Sequence, residues 1–295
     1  MKRIRNFFQQ DNTMFLAMIL RIGLGSVFVA GGTSKLSQLL NPDLQQGMVD
    51  SYMGSAGYVN AFFTEFIFSS NIIEPWHFLT MLSTFEFLAG IALIIGFAVL
   101  PLSLIFGFLF WTFVVSLPVV TTPGVVLEAG MKTYLSPALL VLIRDIALSG
   151  MCFVLYNLGA GNMSVDKKIG WKWKQENINW DNLGLLLRLS LGIVFIVGGM
   201  FAGFDHIATF GFSSYILLPL GIWLISGIKS KQAGYALMIL ILWYIFTKLN
   251  LDKSIIANFN GIKREMAILA GAYVLSQQGG GKSFVITNTL KKFTI

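Results

Sequence analysis

The chain has 295 residues, of which 55% are hydrophobic and 12% charged, with a mean hydropathy of +0.73. A soluble globular domain carries about a quarter charged residues, so this composition excludes one. The formal charge of +7 reads as membrane topology, where Lys and Arg gather in cytoplasmic loops, and not as nucleic-acid binding.

Apolar runs predict an all-α membrane protein of about eight transmembrane helices, near 14–34, 77–98, 102–120, 137–157, 183–204, 213–228, 233–249 and 262–278. Spans of roughly 17–25 residues cross the bilayer core, so the sixth, seventh and eighth are short. A transmembrane barrel would show segments of about ten residues in period-two alternation, and none occurs. The basic MKRIR start precedes an apolar run that holds Arg21 and lacks a small-residue cleavage site, the pattern of an uncleaved signal anchor.

The segment between the first two spans, about 36–76, is longer than topology requires and is predicted to be external. It carries the turn signals NPD and GSAG, then AFFTEFIFSSNII, too short and polar to span and suited to lying in the interface or re-entering as a lid. At its end Trp76 and His77 stand at the mouth of the second span. His77 could exchange protons or bond a quinone oxygen, or be an interfacial polar tip.

Three segments recur. LRIGLGSVFVAGG (Leu20–Gly32) returns as LRLSLGIVFIVGG (Leu187–Gly199) at a shift of 167, GIALIIG (Gly90–Gly96) as GIWLISG (Gly221–Gly227) at 131, and RDIALSGMCFVLYNLGAG (Arg144–Gly161) as REMAILAGAYVLSQQGGG (Arg264–Gly281) at 120. The expectation is two parallel four-helix repeats: residues 1–160 with the long external loop, a cytoplasmic linker 161–182, and a shorter second repeat with a basic tail, 183–295. The linker's IGWKWKQENINW suits the headgroup region. With both termini inside, twelve Lys and Arg fall in cytoplasmic segments against five outside, the orientation of a multi-pass inner (cytoplasmic) membrane protein.

The sparse chemistry is concentrated in the apolar spans. Arg21, Glu86, Arg144, Asp145, Arg188, Arg264 and Glu265 all fall inside them, where a central charge costs roughly 2.5–3.5 kcal/mol. Such groups must face inward. They form either a structural ion-pair network or a polar site for a ligand or protons. Arg144 and Asp145 are neighbours on one helix and point about 100° apart, so each seeks another helix. The expected pairs are Arg144 with Glu86 and Asp145 with Arg21. The position matching Glu86 in the second repeat is Leu217, which assigns the site to the first repeat. Glu86, Arg144 and Asp145 are the candidate catalytic groups, and Arg21, Trp76 and His77 the candidate cofactor contacts. The lone cysteine, Cys152, excludes an internal disulfide, and two histidines, His77 and His206, give no metal-ligand spacing.

Arg21, Gly25 and Lys35 in LR-x2-LG-x-VF-x2-GG-x2-K, Glu86 and Gly90 in FEFLAGIALIIG, and Arg144, Asp145, Gly150, Gly159, Gly161, Ser164 and Asp166 around the fourth span together resemble the DoxX/DoxD family of small membrane proteins. The resemblance implies a four-helix membrane bundle per copy and an association with redox chemistry. The family includes a subunit of a thiosulfate:quinone oxidoreductase, and some members are linked to thiol or oxidative-stress systems. The implied role is a quinone-interacting membrane subunit of an oxidoreductase, with quinone as the cofactor, a periplasmic or membrane redox protein as partner and the lipid bilayer around it. The chain holds no visible haem, flavin or iron–sulfur ligation. The alternative is a non-enzymatic scaffold or a carrier of a small solute or lipid that docks a partner.

Overall fold

The computed structural model describes residues 2–53, 64–69, 72–115, 138–171, 178–200 and 213–286. They form α1 (Lys2–Leu39), α2 (Pro42–Met53), a π-helical turn (Thr64–Phe68), α3 (Pro75–Ile95), α4 (Val99–Val115), α5 (Ala138–Leu158), the single turn α6 (Val165–Lys168), α7 (Trp180–Met200), α8 (Ser213–Ser226), α9 (Ser230–Lys248) and α10 (Ile255–Gln278), with no strand among them. Each of the eight apolar runs coincides with one of these helices. Three helical segments are long and apolar enough to cross a membrane: Asn12–Leu39, Pro75–Ile95 and Trp180–Met200. Val99–Thr112 and Tyr215–Ser226 are apolar but shorter. Residues 172–177 of the Trp–Lys linker, His206 and the basic tail beyond 286 lie outside the described residues.

The helices turn their apolar side outward. On α3, Met81, Phe85, Leu88, Ile91 and Ile95 are exposed, while Ser83, Glu86, Ala89, Gly90 and Leu93 are buried. A helix apolar on all faces gains nothing from burying one particular apolar stripe in lipid. Small and polar side chains decide which face packs. Helix α1 packs along α3, and α7 along α8; α4 packs on α5, and α9 on α10; α1 also lies against α10, and α5 against α7. The chain is therefore cross-braced, with its first helix on its last.

Glycine makes the closest of these approaches. A Cβ at Gly25 would stand 2.8 Å from the Gly90 carbonyl oxygen, and one at Gly90 would stand 2.8 Å from the Val29 nitrogen. The same meeting recurs between α7 and α8, where Gly192 faces the Gly221 carbonyl and Gly221 faces the Ile196 nitrogen. These are the small-residue contacts by which apolar helices pack in lipid.

The NPD signal starts a helix rather than a bare turn. Pro42 takes the first helical position, where its missing N–H costs nothing. Asp43 sits in the first turn of α2, and the Asn41 side chain accepts a hydrogen bond from the Asp43 N–H at 3.0 Å. Together with the π turn, α2 packs through Met48, Val49 and Tyr52 over Leu39, Phe68 and Leu79, so this segment covers one end of the bundle. We shall call it the lid end.

Gly90→Ala is expected to lower stability by about 1–3 kcal/mol, because backbone faces the added methyl on both sides. Gly47→Ala, on open α2 with nothing within 4 Å of the new Cβ, should leave stability unchanged or raise it. Thermal unfolding in detergent distinguishes the two.

Candidate functional site

Seven charged side chains meet between α1, α3, α5 and α10. Lys35 and Glu86 form an ion pair, joining α1 to α3. The Asp145 carboxylate accepts from Arg264 Nε at 2.8 Å, and the Glu265 carboxylate accepts from Arg144 Nη1 at 2.9 Å. The adjacent pair on α5 thus reaches the adjacent pair on α10, arginine to acid in both directions. Glu86, Arg144, Asp145 and Glu265 are all buried. The seventh group is Lys263, which donates to the Asn260 side chain at 2.6 Å. Among the described residues no carboxylate forms an ion pair with it.

These pairings correct the expected ones. Arg144 does not meet Glu86, and Asp145 does not meet Arg21. The side chains of Arg144 and Asp145 diverge as neighbours on a helix must, but both find partners on α10, near the end of the chain. Lys35 takes Glu86 instead. Lys35 stands in the sequence motif but one residue past 34, where the first span is predicted to end. Helix α1 runs on to Leu39, which carries Lys35 into the interior.

Around the charges lies a cavity of about 200 Å³, lined by Lys35, Tyr52, Ser83, Asp145, Lys263 and Arg264, with Ser34, Gln38 and Asn260 adding polar groups. A smaller recess of about 50 Å³ continues past Gly31 to Glu86, Phe28 and Phe110. Met48 and Tyr52 of α2 also line the larger space, so the lid end roofs it. Burial holds the Tyr52 phenol above its ordinary range, against the opposing pull of nearby Lys35. Gly31 stands at the seam, where an added Cβ would lie 3.4 Å from the Lys263 ammonium and 3.9 Å from the Glu86 carboxylate.

The other expected residues lie elsewhere. Arg21 is fourteen residues from Lys35, about 21 Å along the helix axis. Its guanidinium donates to the Leu93 and Ile94 carbonyls at the end of α3, and to those of Asn162 and Met163 at 2.9 and 3.0 Å. It gathers carbonyls at a helix end, where the helix itself supplies no i+4 donors; the Leu93 carbonyl also accepts from the Gly96 N–H at 3.0 Å. Arg188 does the same on α7, donating to Ile225, Gly280 and Ser283 carbonyls. Asp166 completes the first of these latches by accepting from the Ala98 and Val99 N–H groups at 2.8 and 2.9 Å. Trp76 donates its indole N–H to the Leu39 carbonyl at 2.9 Å, tying α3 to the end of α1. His77 is exposed, 3.6 Å from Glu74. Neither Trp76 nor His77 lines the cavity.

An all-helical bundle with apolar faces outward, crossing-length helices and charges turned inward is the construction of a membrane protein. Residues 16–127 match the DoxX family model. The match includes Arg21, Lys35 and Glu86; Arg144, Asp145 and the Gly159–Asp166 loop lie beyond it. No curated protein and no solved structure matches the chain.

Removing one member of the buried Arg144–Glu265 pair, by Arg144→Met or Glu265→Met, should destabilise by roughly 3–5 kcal/mol, because the remaining charge is stranded. The double variant should cost clearly less than the sum, and a double-mutant cycle of unfolding free energies measures the difference. His77→Ala should leave both stability and ligand binding at the cavity unchanged.

Proposed function

We propose that this protein is a multi-pass membrane subunit of a quinone-linked redox system, and that the cavity beside Lys35, Glu86, Asp145 and Arg264 receives the quinone headgroup. The observation that carries this reading is a polar space with donors and proton-carrying groups enclosed in an apolar bundle. Quinone reduction to quinol takes two electrons and two protons. The lysines and Arg264 would hold the ring oxygens, and the Glu86 and Asp145 carboxylates would pass the protons. Electrons would come from a donor outside the chain, through a periplasmic or membrane partner. At about 200 Å³ the space is smaller than the ~300–1,000 Å³ of drug-sized sites, which suits one ring with its tail left outside.

The same reading includes a tandem duplication of a four-helix bundle crossing the inner membrane eight times, both termini cytoplasmic. Supporting it are the repeated glycine approaches, the matched arginine latches of Arg21 and Arg188, and paired positive backbone angles: Gly96 and Ala98 at φ 78° and 52°, Gly227 and Lys229 at 72° and 46°. The exchange of arginine and acid between α5 and α10 has the self-complementary form of a two-fold interface.

A scaffold is the second reading, favoured by the fact that Glu86, Asp145 and Glu265 each already hold a cation. Purification in mild detergent followed by solvent extraction separates the two. Co-purifying quinone, diminished at least tenfold in Gly31→Val while the fold is retained, supports the redox subunit. Absence of quinone from the unmodified protein with a stoichiometric partner supports the scaffold.

A further inference from the structure

Three cations, Lys35, Lys263 and Arg264, and the Asp145 carboxylate line the cavity, and the Glu86 carboxylate lines the adjoining recess. Lys35 and Arg264 are each spoken for by one of those acids. The Lys263 ammonium is left with the neutral Asn260 amide at 2.6 Å. It also borders both the larger cavity and the recess, so it stands between the open space and Glu86.

An ammonium withdrawn from water without an anion is costly, and the surrounding groups do not supply one. Tyr52, on the lid, is the remaining acid at the cavity, and burial holds its phenol above its ordinary range. It meets a guest as an O–H donor and adds no countercharge.

We propose that the guest of this cavity is anionic, presenting a negatively charged ring oxygen to Lys263. This rests on the quinone reading above and specifies its chemistry: the form the site selects is the deprotonated one, a quinolate or an acidic hydroxyquinone. A neutral quinone leaves the Lys263 charge uncompensated, whereas an anion converts it into a charge-assisted hydrogen bond.

The test uses the full-length protein in detergent and two probes of nearly the same shape, a hydroxynaphthoquinone that is ionised at neutral pH and its uncharged methyl ether. Binding is read by titration calorimetry. The ionised compound is expected to bind at least tenfold more tightly, Lys263→Met to erase that preference, and Lys263→Arg to preserve it. The melting temperature of ligand-free Lys263→Met should rise, because a stranded charge is removed; a purely structural lysine would lower it. Equal binding of the two probes to the unmodified protein, or tighter binding of the ether, overturns the anionic assignment and leaves the quinone reading standing. Binding of neither probe overturns the quinone reading itself. The comparison in the unmodified protein needs no variant to fold.

Discussion

Two arginine–carboxylate pairs set in an apolar interior hold this bundle in register. Each of the four groups alone would cost roughly 2.5–3.5 kcal/mol at the centre of a membrane. Apolar helices in lipid have little hydrophobic reason to prefer one rotation over another. Charge supplies the preference: α5 must turn Arg144 and Asp145 toward α10, and α10 must answer with Glu265 and Arg264. Pairing like position with like would set Arg144 against Arg264 and Asp145 against Glu265. The exchange also dictates that α1 and α7 flank this central pair, α1 on α10 and α7 on α5. The first and last helices of the chain are therefore neighbours.

The far end of the bundle is organised by the same economy with a different partner. Arg21 and Arg188 are the largest fully buried side chains, and both spend their donors on backbone carbonyls. The planar guanidinium suits this, since its donors diverge in a fixed fork. Each joins the end of one helix to the glycine-rich loop that follows another. The left-handed turns at Gly159 and Gly161, φ 79° and 72°, bring that loop close enough for Arg21 to reach. Buried arginine at this end is accordingly a latch.

Helix existence was legible because apolar runs of this length have few alternatives. Helix ends were less so. Seven residues of α10, Ile255 to Gly261, read as loop because Asn258, Asn260 and Gly261 dilute the apolar pattern, yet Ser254 caps the helix by accepting from the Ala257 N–H at 3.2 Å. That extension is what presents Asn260 and Lys263 to the cavity. Glu86 and Asp145 stand out in the sequence because intramembrane charge is conspicuous, and the structure sets Asp145 at the cavity and Glu86 at its recess. Their partners were missed because divergence on one helix says only that a charge looks elsewhere, and the choice among several arginines depends on helix neighbours that hydropathy does not encode. Arg21 was misassigned for the same reason: carbonyls at a helix end compete for a guanidinium as well as carboxylates do, and carry no sequence signal.

The asymmetry between the two parts of the chain explains why an open cavity lies on one side. Where Glu86 stands on α3, α8 carries Leu217, which is fully buried. Beside the Arg144–Glu265 pair, Tyr244 of α9 is likewise buried, with Lys248 over its ring at 5.0 Å from the centroid. Bulky side chains therefore pack this side of the central pair. On the other side, Gly31 leaves room where a side chain would otherwise separate Glu86 from Lys263, and α2 closes over the opening through Met48 and Tyr52. With Leu and Tyr filling one side of the central pair and a charged cavity on the other, the packing that stabilises the bundle is concentrated on the filled side.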